Sequence, residues 1–462
     1  MTAPKVTLFG GGPVGSLLAS LLAERGCNVD LYERRPDMRQ QAVGAGRSIN
    51  LAVSVRGLDA LARIGLDGAV LDCTVPMRGR CVHDLRGQCE LQRYGRSDGQ
   101  VIHSMSRGGL NKILLDRAEA TGRVRVHFGT RLESYDFDRG TARVAVEASR
   151  ETREIQAPVA IGTDGSASAL RTSMQRAGLL QQMAPLDFGY KELTLPTTPV
   201  GTFAFDANAL HIWPRGRYML IALPNPDCTF TCTLFLPHQS DGRTPSFADL
   251  QDDAAVADFL RGQFGDVPPY MPDIVQQFAR APIGHMATLR CEPWSNGATL
   301  LLGDAAHAIV PFFGQGMNAG FESCVGLVEQ LDRNGVPTSA LQWAETFAEF
   351  WPARKRETDA IADLALENFV EMRDKVADPT HLLQRAAELA VQARLGERYW
   401  TRYQLVSFSR VPYSEALRIG RVQSRLLTDA CANAQQLAGV DLDALTAAMS
   451  AEVIPLLAAI SI

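Results

Sequence analysis

The chain has 462 residues, 46% of them apolar and 21% charged, which suits a globular protein with a large buried core and roughly three average domains. A formal charge of −5 with scattered basic residues excludes a nucleic-acid backbone as partner. Nine cysteines without a C-x-x-C pair exclude a disulfide scaffold and are expected mostly as small reduced core residues.

The amino terminus runs directly into a strand-like Lys5-Val6-Thr7-Leu8-Phe9, without the charged region, apolar core and cleavage site of a leader. No stretch of about 18 apolar residues follows, so no membrane span is expected and a cytoplasmic location is. The strand feeds Gly10-Gly11-Gly12-Pro13-Val14-Gly15, after which Leu17, Leu18, Leu21 and Leu22 recur at helical spacing. Gly26 stops that helix, and Val29 to Tyr32 begin a second strand ending at Glu33. This is a βαβ opening in which Gly10-x-Gly12-x-x-Gly15 has the context a dinucleotide fingerprint requires. The first glycine permits the tight turn, the second admits a pyrophosphate, and the third lets helix and strand approach. The pyrophosphate would rest on the helix N-terminus, and Glu33 could accept hydrogen bonds from ribose hydroxyls. At this point NAD and FAD fit equally.

A further helix is predicted from Leu110 to Arg117 and a strand from Val124 to Phe128. Short strand-like pieces alternate with turns over residues 132–158, and Val159-Ala160-Ile161-Gly162 reads as a buried strand entering Thr163-Asp164-Gly165. Residues 186–237 are rich in β-formers. There Leu210-His211-Ile212-Trp213 and Tyr218 to Leu223 flank Pro214-Arg215-Gly216-Arg217 as a hairpin, and Phe230 to Leu236 adds a third strand. These would roof a pocket. A buried strand at Ala298 to Leu302 leads into Gly303-Asp304, and the chain is mostly helical after about residue 317.

The later motifs separate the cofactors. Gly303-Asp304-Ala305-Ala306-His307 is followed by Pro311-Phe312-Phe313-Gly314-Gln315-Gly316-Met317-Asn318, and Gly162-Thr163-Asp164-Gly165-x-x-Ser168-x-x-Arg171 precedes both. Together they resemble the motifs of the single-component flavoprotein aromatic hydroxylases. The fold class this implies is α/β: a Rossmann-like FAD-binding domain, a β-sheet substrate domain and a C-terminal helical region. The resemblance implies tightly but non-covalently bound FAD, with Asp304 on the ribityl chain, Asp164 associated with FAD and NADPH, and Arg107 as an FAD contact. The same motif positions place Val14, Arg34, Arg35, Ala52, Leu132, Pro311, Gly316, Met317 and Asn318 at the cofactor beside Gly10, Gly12, Gly15 and Glu33. A helix beginning near Met317 would aim its positive end at the flavin edge that becomes negative on reduction. No second G-x-G-x-x-G exists, so NADPH is expected as a transient cosubstrate, with O2 as the oxidant. His307 is expected to position the loop rather than to act in catalysis.

Four more stretches are similar to the kynurenine 3-monooxygenase family: Gly46-Arg47-Ser48-Ile49-Asn50-Leu51-Ala52; Pro76-Met77-Arg78-Gly79-Arg80 with Tyr94-Gly95; Gly189-Tyr190-Lys191-Glu192-Leu193 with His211 to Pro214; and Ala365 to Met372 with Arg402-Tyr403. The chain departs from that family at Ser323, which follows Glu322 where an acidic pair is usual. The resemblance implies that Arg80 and Tyr94 grip an amino acid's carboxylate, assisted by Asn368 and Tyr403. A guanidinium suits that task as a bidentate fork. Arg78, two residues from Arg80, is the competing candidate, and the choice between them rests on the resemblance. Met219, Ile221, Leu223 and Phe235 would wall the aromatic ring, or equally serve as sheet core.

The implied reaction is NADPH-dependent hydroxylation of L-kynurenine to 3-hydroxykynurenine through a C4a-hydroperoxyflavin, with no side chain as general acid or base and no metal. Alternatives are the same chemistry on another amino-aromatic acid or tryptophan derivative, and a flavin-binding protein without turnover. The expected organisation is a discontinuous FAD-binding domain (1–75, 100–185, 285–330), a β-sheet substrate domain (76–99, 186–284) and a helical region (331–462) capping the active site. Partners are expected to be a small aromatic amino acid and no nucleic acid; oligomeric state is left open, a dimer among the options.

Overall fold

A computed structural model describes residues 3–40, 50–372 and 378–460. The stretch Gly46-Arg47-Ser48-Ile49 lies outside them. The chain divides into two compact units, one of Met1–Thr74, Ser104–Leu186 and Met286–Asp359, the other of Val75–His103, Asp187–His285 and Ala360–Ile462.

The first unit holds a six-stranded sheet in the order Ser295–Asn296, Thr299–Leu301, Ala160–Gly162, Lys5–Phe9, Asn28–Glu33, Val124–Phe128. Every neighbouring pair is parallel except the antiparallel edge strand Ser295–Asn296. Val6, Leu8 and Phe9 are all buried, so this central strand is covered on both faces, as its unbroken apolar run requires. The helix Pro13–Glu24 buries Leu17, Leu18, Leu21 and Leu22 completely. Gly320, in the helix Gly316–Asn334, lies where any side chain would meet Val14, which allows these two helices to pack closely. Because the four central strands run in one direction, Gly10, Glu33, Asp164 and the turn after Leu301 all emerge at one edge of the sheet. A separate antiparallel sheet comprises Thr130–Asp136, Thr141–Val146 and Thr152–Gln156.

The second unit is built on strands in the order Leu180–Leu195 (its later part), Phe230–Pro237, Met219–Pro224, Ala209–Pro214, Gly79–His83, Cys89–Arg93. The expected hairpin is present, with Pro214 opposite Met219. All pairs are antiparallel except Ala209–Pro214 with Gly79–His83. Strand alternation gives the sheet two distinct faces. One carries Leu193, Trp213, Leu220, Ala222, Cys232 and Leu234, packed with Val256, Leu260 and Phe278 of helices Asp253–Gln263 and Ile274–Arg280. The registers Arg80↔Leu210, Ile212↔Ile221 and Met219↔Phe235 put Arg80, Ile212, Met219, Ile221 and Phe235 together on the other. Helices Pro379–Leu395, Arg402–Ser407, Tyr413–Cys431 and Leu442–Glu452 complete the unit.

Among the described residues no helix is long and apolar enough to cross a membrane. None of the cysteines is disulfide-bonded; six are buried, as expected of core thiols, whereas Cys73 and Cys89 are exposed.

Candidate active site

In the first unit the glycine-rich turn is shaped by close contacts. Gly10 has φ +111°, a region L side chains avoid, and a Cβ there would sit 2.3 Å from the Thr163 carbonyl oxygen. A Cβ on Gly15 would sit 1.9 Å from the Gly10 oxygen, whereas one on Gly12 would have no atom of the described residues within 4 Å. That space lies at the start of helix Pro13–Glu24, with Gly12 as its N-cap. That space and the N–H groups of the helix's first turn fit a pyrophosphate.

Glu33 is buried at the end of its strand. Gly11 N–H donates to its Oε2 at 2.8 Å, and the N–H and Nε of Arg35 donate to its Oε1 at 2.9 and 2.8 Å. The carboxylate therefore holds the turn itself and keeps a lone pair on Oε2 for a ribose hydroxyl. Arg34 is exposed. Asn111 donates to the Gly11 carbonyl at 2.9 Å from a helix far along the chain, a contact invisible in the sequence.

Asp164 follows its strand. Oδ2 accepts from Ala169 N–H at 2.8 Å, while Oδ1 is buried with no partner among the described residues, and burial raises the carboxyl above its ordinary range. Such an orphaned oxygen suits a polar ligand group. Arg171 joins this turn to the next motif by donating to the carbonyls of Ser166 and Ala305, at 2.5 and 2.8 Å. Asp304 begins the short helix Asp304–His307 with an accessible side chain; desolvation raises its carboxyl and the charge of Arg107 opposes that. Arg107 is exposed at the first position of helix Arg107–Ala120.

Pro311 is exposed, and Gly316 and Met317 are half-buried at the start of helix Gly316–Asn334. Asn318 ties that start down: its Nδ2 donates to the carbonyls of Ala52 (2.8 Å) and Gly314 (3.0 Å), and its Oδ1 accepts from Ser54 N–H (3.1 Å). His307 is buried, stacked on Trp294 and 3.1 Å from Ser323 Oγ, and burial followed by the nearby Arg354 charge lowers it to about 3. It is a neutral support for its loop. Ser323 also accepts from Arg354 Nε at 2.9 Å, and Glu322 pairs with Arg56 and Arg354 at 2.5 and 2.9 Å. Leu132 lies in the core, in register with Val144.

In the second unit Arg80 is buried on the strand Gly79–His83, whereas Arg78 is exposed before it. Arg80 Nε donates to Gln92 Oε1 at 3.0 Å; its nearest acid, Glu371, is 3.9 Å away. The terminal nitrogens thus make no hydrogen bond to described residues. Tyr94 stacks on Tyr403, ring centroids 4.9 Å apart, and burial pushes its phenol up to about 12 against the pull of Arg80. Asn368 is buried beside Met372, with Nδ2 to Sδ at 3.3 Å. Met219, Leu223 and Phe235 are buried, Ile221 half-buried.

Sequence reasoning missed the ionic frame around Arg80. Glu371 meets Arg402 at 3.2 Å and His381 at 3.6 Å; burial works to raise its carboxyl, but the His381 hydrogen bond and the Arg402 and Arg80 charges hold it down at about 2. Arg385 is half-buried and makes no hydrogen bond or ion pair to another described residue. The only sequence signal was the motif from Ala365 to Met372, which contains Glu371.

Residues 4–334 match the model of an FAD binding domain. The chain is 47% identical over 439 residues to a kynurenine 3-monooxygenase of Myxococcus xanthus, covering 95% of this chain and 93% of the relative. It is 47% identical over 454 residues to one of Xanthomonas axonopodis pv. citri, covering 98% and 97%. Among solved structures it is similar to 2-methyl-3-hydroxypyridine-5-carboxylic acid oxygenase (TM-score 0.63, 20% identity, 83% of this chain and 96% of that one). It is also similar to Pseudomonas aeruginosa PqsL in complex with 2-aminobenzoylacetate (TM-score 0.62, 20% identity, 81% and 97%). These structural likenesses bear on the fold.

Proposed function

The chain belongs to the kynurenine 3-monooxygenase family of FAD-dependent hydroxylases, and from that premise we propose that it hydroxylates L-kynurenine to 3-hydroxykynurenine with NADPH and O2. The observation that carries the substrate reading is a buried guanidinium on the apolar face of a sheet whose terminal nitrogens make no hydrogen bond among the described residues: Arg80 beside Met219, Ile221 and Phe235.

Activated oxygen would come from bound FAD, with NADPH as the reductant and O2 as the source. The protein's task is to bind, orient and keep water out. Arg80 engages the amino-acid carboxylate through its two terminal nitrogens, a geometry lysine cannot copy. The Tyr94 phenol stays protonated and donates a hydrogen bond to the same group, held in place by its stack on Tyr403. Asn368 assists. The apolar residues, with Leu223, receive the aniline ring. Its amine already pushes electron density into the ring, so the reaction needs no strong general base. Position matters more, since a misplacement of about 1 Å costs on the order of a hundredfold. On this reading the C-terminal helices that carry Asn368 and Tyr403 cap the amino-acid end.

The test is NADPH consumption by the FAD-loaded protein with and without L-kynurenine, with product mass measured. The expected result is stimulated oxidation and a product heavier by one oxygen atom. Turnover of a different amino-aromatic acid in preference to kynurenine would overturn the substrate; yellow protein with no stimulated oxidation would overturn the enzyme.

A further inference from the structure

We propose that Cys81, Cys89 and His211 form a binding site for one soft, thiophilic metal ion of the zinc–cadmium class. The site lies on the sheet face opposite Arg80. The three residues stand on three neighbouring strands, Cys89–Arg93, Gly79–His83 and Ala209–Pro214. His211 is in register with Cys81, and Cys89 with His83, so strand alternation puts all three side chains on one face. Their ligand atoms lie within 4.8 Å of one another. Two sulfurs bound tetrahedrally to one zinc ion at ~2.3 Å each stand ~3.8 Å apart, so a cluster spanning 4.8 Å needs a contraction of about 1 Å at most.

Two thiolates and an imidazole form a donor set that favours soft and borderline ions over magnesium or calcium. Cys81 and His211 are buried, but Cys89 is exposed on the edge strand, which gives an ion a way in. Three protein ligands leave a fourth position for water. A disulfide is the poorer partner for this pair. Cys81 lies opposite Leu91 and Cys89 opposite His83, a diagonal placement with backbones roughly 7–8 Å apart, whereas a disulfide needs Cβ atoms at about 3.8 Å.

His211 is already oriented. One ring nitrogen meets His83 Nε2 at 2.8 Å and the other donates to the Asp206 carbonyl at 2.9 Å. Ligation costs one of those hydrogen bonds. Thiols ligate as thiolates, so metal uptake releases their protons and strengthens as pH rises.

The experiment titrates the FAD-loaded full chain with cadmium chloride. Thiolate-to-cadmium ultraviolet absorption is followed by difference spectroscopy, and the thermal midpoint is recorded alongside. We expect one saturating ion per chain, a raised thermal midpoint and proton release. Cys89→Ser, an exposed substitution that leaves the fold intact, should abolish the signal, and Cys73→Ser, at the other exposed cysteine, should retain it. No cadmium absorption in the wild type, or a Cys89→Ser titration like the wild type's, would overturn the site, as would loss of the signal in Cys73→Ser.

Discussion

Gly12 and Gly15 stand three residues apart in one turn, yet a methyl group added at each meets different surroundings. At Gly15 it would overlap the Gly10 carbonyl at 1.9 Å; at Gly12 it would meet no atom of the described residues within 4 Å, and the φ of −73° suits any residue. Gly15→Ala is therefore expected to prevent accumulation of folded protein. Gly12→Ala should fold with a near-native thermal midpoint and lose its flavin, because the methyl occupies the space proposed for the pyrophosphate. Thermal unfolding and visible absorbance of the two purified variants check this pair, and full flavin content in Gly12→Ala would remove the pyrophosphate from that turn. Arg80 offers the matching test for the substrate. Losing hydrogen bonds to a charged group is worth about 1.5–3 kcal/mol, roughly a ten- to hundredfold change. Arg80→Ala should raise KM for kynurenine by that factor with flavin content unchanged. A wild-type KM would take the carboxylate away from Arg80.

The helix Gly316–Asn334 shows how an element is held for a task its own residues do not reveal. Asn318 satisfies three backbone groups at once, the carbonyls of Ala52 and Gly314 and the N–H of Ser54. Asn318→Ala leaves them unpaired in a buried setting, at about 1–3 kcal/mol for each group that water cannot reach. Denaturant unfolding should show a loss of about 2–4 kcal/mol, with faster release of flavin; a loss within about 0.5 kcal/mol would mean the loop reseats itself. The elements themselves were legible in the sequence because they rest on local spacing. The turn from Gly10 to Gly15, the hairpin at Pro214 to Gly216 and the helix near Met317 all announce themselves within a dozen residues. The links between elements did not. Arg354 reaches Ser323 and Glu322 from the middle of a long helix, where a lone arginine reads as a solvated charge. Asn111 reaches Gly11 across a hundred residues, and Arg171 reaches Ala305 across 134. Arg78 and Arg80 looked equivalent until the strand proved to begin at Gly79, leaving one outside and exposed and the other inside and buried.

Across the molecule two buried histidines weaken the fold as pH falls, while the raised carboxyls of Asp164 and Asp304 work the other way. Burial lowers His307 in the first unit to about 3, with Arg354 adding to the effect. Burial lowers His211 in the second unit to about 4, against the hydrogen bond to the Asp206 carbonyl. An unfolded histidine takes up its proton near pH 6.5, so below that the unfolded chain binds protons the folded chain refuses. Each such histidine contributes stability in full above about pH 6.5 and loses it as pH falls towards the folded value, at about 1.4 kcal/mol per pH unit. Glu371, held down at about 2, adds to the trend lower down: its stabilisation is present above the ordinary glutamate range near pH 4.3 and is lost on approach to pH 2. Between pH 6 and 4 the two histidines together therefore lower stability by up to about 2.7 kcal/mol per unit, less the opposing contribution of Asp164 and Asp304. Denaturant unfolding at pH 7, 6 and 5 of the wild type and of His307→Gln, which keeps a donor for Ser323 and cannot titrate, measures that slope, and the substitution should lower it by up to about 1.4 kcal/mol per unit. A slope untouched by the substitution would show that His307 takes up its proton as readily in the folded protein as in the unfolded chain.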